Sequence, residues 1–155
     1  MKKYRRLLVF SCALLGASQC GAQIAISNTQ ALAFGKFAAG SGGTIAIGPN
    51  GVRTPSGGVR LLNSAAGTAA SFNVHDTNPA NANLTYIITL PDNDVVTLTS
   101  GSHNMAVNNF VSTPSGSSML VGGTQVLTVG ATLSVGANQP QGSYSGNFSV
   151  TVNYQ

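Results

Sequence analysis

The feature that most limits what this chain can fold into is the alternation at its end. Residues 142–155 read GSYSGNFSVTVNYQ, which puts Tyr144, Gly146, Phe148, Val150, Val152 and Tyr154 on one face of an extended chain and Ser145, Asn147, Ser149, Thr151 and Asn153 on the other. A period of two sustained over that length predicts a β-strand with one apolar face, well beyond the ~5–6 residues usual for a strand. Such a strand has to be covered along its apolar side, and what covers it is the functional question.

The start of the chain bears on where this happens. Lys2, Lys3, Arg5 and Arg6 precede an apolar run over residues 7–15, and Cys20 and Ala22 supply small residues ahead of Gln23. Residues 1–22 therefore read as a secretory signal peptide and residues 23–155 as one exported domain, destined for the periplasm and then the cell surface, a fimbrium or the medium. A lipoprotein signal ending at Cys20 is the alternative, which Gln19 and Ala17 suit poorly. The run falls short of the ~20 residues a bilayer span requires, and no later stretch approaches it, so no membrane span is expected in the exported domain.

Removing the leader changes the meaning of the composition. The whole chain has seven basic and three acidic residues and a pI near 9.4, but four of the basic ones lie in the leader. What remains is Lys36, Arg53 and Arg60 against Asp76, Asp92 and Asp94, a formally neutral domain, which excludes nucleic acid and anionic membranes as partners. Both cysteines, Cys12 and Cys20, also fall in the leader, so the domain has no disulfide to use in an oxidising compartment. It has no Glu and no Trp, many Gly, Ser, Thr, Asn and Val, and no credible helix, which together predict an all-β domain.

Strand and turn signals recur at the spacing of a two-sheet sandwich. Leu32 and Phe34 alternate ahead of Gly35, residues 44–47 form a strand, and Asn50-Gly51 makes a hairpin turn before Val52. Residues 55–58, with Pro55, read as a break. Phe72 and Val74 alternate, residues 76–83 are polar loop, and Leu84, Tyr86, Ile88 and Leu90 share a face. Residues 91–94 then read as a turn, with residues 95–99 as the second arm of a hairpin. Met105, Val107 and Phe110 follow, and glycines separate strands at residues 120–121, 125–129 and 131–135.

Chemistry is sparse. His75 next to Asp76 lacks a nucleophile elbow, and neighbours on a strand point to opposite faces, so the pair reads as a solvated strand end and the protein as no enzyme. Asp92-Asn93-Asp94 is oxygen-rich but has none of the further ligands of a calcium loop, and it reads as turn material. His75 and His103 are too isolated to hold zinc. No cofactor is expected. Tyr86, Tyr144 and Tyr154 sit on alternating positions and read as packing residues rather than a sugar platform.

Two stretches carry a family resemblance. Gly142 fourteen residues from the end, the alternating Phe148, Val150 and Val152, and the penultimate Tyr154 resemble the end of a bacterial chaperone-usher pilus subunit. Ala31-Leu32-Ala33-Phe34-Gly35-Lys36-Phe37 resembles the Leu-x-Phe-Gly-x-Tyr pattern of the archaic, spore-coat-protein-U-like pilins. Taken whole, the chain resembles a secreted bacterial family known as a domain of unknown function, through residues 32–37, 130–133 and 146–154.

The pilin resemblance implies an immunoglobulin-like sandwich with an incomplete sheet edge, whose missing strand comes first from a periplasmic pilus chaperone and then from a neighbouring pilus subunit. Its strand-complementation groove would be lined by Leu32 and Phe34 on one side and by Gly142, Tyr144, Phe148, Val150, Val152 and Tyr154 on the other, with the carboxylate of Gln155 held by the chaperone. In two respects the chain departs from those pilins. It lacks their disulfide, and residues 23–30, with Ile24 and Ile26 as their only apolar pair, make a short donor, since a groove of ~30 Å takes about ten extended residues. Such a chain accepts a strand more readily than it donates one. The alternative function is a self-complete secreted sandwich that binds glycan or matrix and does not polymerise.

Overall fold

The computed structural model describes residues 24–155; the expected signal peptide at residues 1–22, with Cys12 and Cys20, lies outside the described residues. The chain passes through β1 (Ala25–Gln30), β2 (Phe37–Ala38), β3 (Gly43–Ile47), β4 (Arg53–Gly57), β5 (Arg60–Leu61) and β6 (Ala70–His75). A 3-10 turn at Pro79–Asn81 leads to β7 (Thr85–Thr89), β8 (Val96–Ser100), β9 (His103–Thr113), β10 (Ser117–Met119), β11 (Thr124–Val135) and β12 (Thr151–Tyr154). The domain is all-β and sandwich-like, with its larger sheet curled into a half-barrel.

β11, twelve residues long, organises that sheet. One edge pairs with β6 over residues 124–129 and then with β3 over residues 131–135, while the other edge pairs with β9, which carries β8. β1 extends the sheet beyond β6, and β4 beyond β3. A three-stranded sheet, β10-β7-β12, packs opposite, and β2 and β5 form a small ribbon. Inward residues make two clusters. Ile45, Ile47, Met105, Val107 and Leu133 belong to the first, and Val74, Tyr86, Leu120, Leu127 and Val129 to the second. Phe148 packs against both, with its ring 5.1 Å from that of Phe110 and 6.2 Å, edge to face, from that of Phe72.

The turn at Asn50-Gly51 forms as expected: the Gly51 amide donates to the Gly48 carbonyl at 2.8 Å, the Val52 amide to Asn50 Oδ1 at 3.1 Å, and Gly51 has φ +77°. Four other expectations need correcting. Pro55 does not break the chain but lies within β4 opposite Ile45, which is tolerated because β4 is an edge strand. Gly130 does not end a strand. It is the residue at which β11 changes partner from β6 to β3, and a Cβ there would collide with the Ile47 carbonyl. Residues 85–89 and 96–100 do not form a hairpin, since β7 and β8 lie in different sheets. The link between them is held to β9 instead, by bonds from the Asp94 amide to Asn108 Oδ1 (2.7 Å) and from the Asn109 amide to Asn93 Oδ1 (2.8 Å). These brace the β9 bulge, where Asn109 has φ +51°.

The fourth correction concerns the terminal stretch. Its alternation is present in space: Tyr144, Phe148, Val150 and Tyr154 are half-buried and Val152 is buried, while the residues between them are exposed. Yet it is not one strand. Ser145 pairs with Thr99 on β8, residues 151–154 pair with β7, and the stretch between them crosses from one sheet to the other with no strand paired to it among the described residues.

Gly130→Ala is expected to lower the stability of the purified protein by about 1–3 kcal/mol through backbone crowding, against less than about 0.5 kcal/mol for Thr132→Ala on the same strand. Urea unfolding followed by circular dichroism measures the difference.

Candidate functional site

Beside the terminal stretch the fold is open. A groove of about 1240 Å³ runs between residues 31–40 on one wall and residues 138–148 on the other. Phe72, Val96, Leu98, Met105, Val107 and Leu133 line it between the walls, so its interior is apolar. Among the described residues no bond pairs residues 31–36 with residues 142–150, and residues 25–30 pair with β6 rather than entering the gap.

Each wall is fixed from its outer side. On the first, Ala33 and Thr68 exchange two backbone hydrogen bonds, at 2.9 and 2.7 Å, and Phe37 and Ala38 pair with β5. Arg53 of β4 adds three side-chain bonds. Its Nη1 donates to the carbonyls of Phe34 (3.0 Å) and Lys36 (3.3 Å), and its Nη2 to that of Leu62 (3.4 Å). Between the two wall carbonyls sits Gly35, at φ +70°, where a Cβ would strike the guanidinium. The glycine of the Leu-x-Phe-Gly-x-Phe stretch thus makes room for an arginine far along the chain.

The second wall is fixed by the Thr99–Ser145 bonds at 2.8 and 3.0 Å. Gly146 lies so close to the Thr97 carbonyl that a side chain there would not fit, which explains a glycine in an otherwise apolar series. One end of the groove is stopped. The Asn138 amide donates to the Gly40 carbonyl at 3.0 Å, joining the walls, and Gln139 Nε2 donates to the Asn104 carbonyl (3.1 Å) and the Tyr144 hydroxyl (3.0 Å). That hydroxyl donates in turn to the Pro140 carbonyl at 2.9 Å.

The expected site residues divide. Leu32 and Phe34 line the first wall, and Gly142, Tyr144 and Phe148 the second. Val150, Val152 and Tyr154 lie beyond the groove and pack on the second cluster, and the Gln155 amide donates to the Thr85 carbonyl at 3.2 Å. Arg53, Gln139, Leu98 and Met105 were not singled out from the sequence; an arginine in a chain with so few charges is the one signal that points to any of them. Among the described residues no group of His, Cys, Asp and Glu is placed to hold a metal ion, and no helix is long and apolar enough to cross a membrane.

Asp76 departs from expectation. It is buried rather than a solvated strand end, accepting from the Asn78 amide (2.8 Å), Asn81 Nδ2 (3.0 Å) and the Tyr154 hydroxyl (2.6 Å). This last bond fastens the end of the chain to the loop after β6. Burial, followed by the bond to and charge of Asp76, pushes the Tyr154 hydroxyl from its ordinary value near 10 up to about 12. Because the folded value is raised, the stabilisation is complete below about pH 10 and is lost as the pH climbs toward about 12. Tyr154→Phe is expected to cost about 1.5 kcal/mol at pH 8, the low end for a charge-assisted bond because this one is only part-buried. The variant is also expected to show a shallower decline above pH 10 than the wild type, the remainder coming from Tyr86, whose hydroxyl is also pushed up by burial. Urea midpoints across that range test both.

No curated protein and no solved structure matches the chain. A family model described as a Domain of unknown function (DUF4402) matches residues 24–154, the whole of the described domain but its last residue, and the chain belongs to that family.

Proposed function

We propose that the protein is an exported, pilin-like structural subunit of the bacterial surface that accepts an extended strand from another polypeptide, a periplasmic pilus chaperone and then a neighbouring subunit. The observation that carries this is the open apolar groove beside the terminal stretch, with the chain's own residues 25–30 committed elsewhere. The resemblance of residues 31–37 and 142–155 to pilins supports it, because those residues form much of the two walls.

Strand direction supports a single inserted strand of defined polarity. From β1 through β6, β11, β9 and β8 to Ser145 every neighbour is antiparallel. Six strands alternating in this way leave the first and last running in opposite senses. One strand placed between them is parallel to one wall and antiparallel to the other, and it completes the curled sheet. Burying four or five apolar side chains there, at ~1.5–3 kcal/mol each, makes the assembly hard to reverse. The first strand suits acceptance better than donation: residues 27–30 are exposed and polar, and β1 is already part of the large sheet.

Hydrogen exchange tests this directly. In the protein alone the amides of Gly146 and Phe148 are expected to exchange rapidly; with a saturating peptide of alternating Val and Thr they are expected to slow by about tenfold or more. Leu32→Arg, which brings a charge into the apolar groove, is expected to remove that protection. Exchange that stays fast at saturating peptide, or that is slow before peptide is added, overturns the proposal.

A further inference from the structure

The groove is stopped at the end where Gly40 and Asn138 join and open toward Asn28 and Phe148. Its two walls do not offer equal edges. On the first, the Phe34 carbonyl is already taken by Arg53. On the second, Ser145 turns its backbone toward β8, which turns the backbone groups of Tyr144, Gly146 and Phe148 the other way, and among the described residues no strand pairs with them. An incoming strand therefore finds its longer unused ladder on the second wall, and antiparallel pairing is the stronger kind. The second wall runs away from the stopped end, so a strand antiparallel to it runs toward that end and finishes there.

The charge of the lining bears on how it finishes. Lys36 is the one charged residue among those lining the groove, and it lies on the first wall, four residues before Gly40. The acidic residues of the described chain are elsewhere: Asp76 is bonded to Tyr154, and Asp92 and Asp94 sit on the link between β7 and β8. Resting on the proposed strand acceptance, we infer that the groove selects an extended segment of another polypeptide with alternating apolar residues and a carboxylate at its C-terminal end, which meets Lys36 as the strand approaches the stopped end.

The carboxylate comes from an acidic side chain or from the chain terminus. Within this protein the three stretches of that pattern, residues 70–76, 84–92 and 148–155, are held in its own fold through Val74, Tyr86, Ile88 and Val152, which are buried. The occupant is therefore a different polypeptide rather than a second copy.

Four ten-residue peptides of alternating Val and Thr provide the test, with affinities to the purified protein measured at low and high salt. One ends in a free carboxylate, one in an amide, one in an amide preceded by Glu, and one carries Glu at its N-terminal end with a C-terminal amide. The first and third are expected to bind about two- to fivefold more tightly than the others at low salt, with the preference fading at high salt and vanishing in Lys36→Gln. Equal binding by all four, or a preference that survives Lys36→Gln, overturns the carboxylate inference while leaving strand acceptance standing. Binding by none of the four overturns strand acceptance itself. Sedimentation showing that the protein fills the groove by dimerising overturns the choice of occupant.

Discussion

The large sheet is joined through β11, which shares its two edges among three strands. A strand of ordinary length has room for one neighbour on each side. At twelve residues β11 has room for β6 and then β3 along one edge, and the change of partner at Gly130 is possible because the Ile47 carbonyl can approach a backbone without a Cβ. With β9 and β8 on the other edge, the sheet grows on both sides until it curls, and its outermost members come to face each other. The groove is the gap left by that curling. It follows from the strand pairing, and the apolar residues that line it are inward residues of the same strands.

In a domain with so few charges, those charges are used where apolar packing does not hold the backbone. Arg53 ties down three carbonyls around a left-handed glycine, fixing a wall that only short bridges pair. Asp76 gathers three donors and holds the last aromatic residue of the chain. The Asp94 carboxylate accepts from Asn108 Nδ2 at 3.3 Å beside the β9 bulge. Among the described residues the stretch between Ser145 and β12 has no comparable support. It is anchored at Ser145 and Tyr154 and packed through Phe148, so its backbone groups toward the groove remain available.

The sequence made the faces legible and left the partners hidden. Alternation at Tyr144, Phe148, Val150, Val152 and Tyr154 correctly places those side chains inward, because period two reports which side of an extended chain is buried. It does not report whether another strand lies alongside, so the sheet-to-sheet crossing in the middle of the stretch went unseen. The same limit explains the mistaken hairpin. Tyr86 and Ile88, and then Val96 and Leu98, alternate as two paired arms would, yet β7 pairs with β12 and β10 while β8 pairs with β9. Pro55 and Gly130 read as breaks because local preference disfavours both in strands, and tertiary position overrode it: one is on an edge, the other at a close backbone contact. Arg53, and Asp76 in its bond to Tyr154, act on residues distant in sequence, and no local pattern marks those contacts.

Open sheet edges invite pairing, and this fold protects them unevenly. β4 carries Pro55, which withholds an amide, and β10 is only three residues long. Apart from Pro140 at the stopped end, the walls of the groove have neither device. Their facing edges run for several residues, carry no proline between Leu32 and Phe37 or between Gly142 and Tyr154, and have Lys36 as their one charge. Two unshielded edges beside an apolar trough are what the proposed strand acceptance requires. Without a partner, about 1240 Å³ of groove lined by Leu98, Met105 and Phe148 stays open to water. Under the proposed strand acceptance an incoming strand relieves the cost of that exposure, and a trough this long and apolar suits a strand better than a small solute.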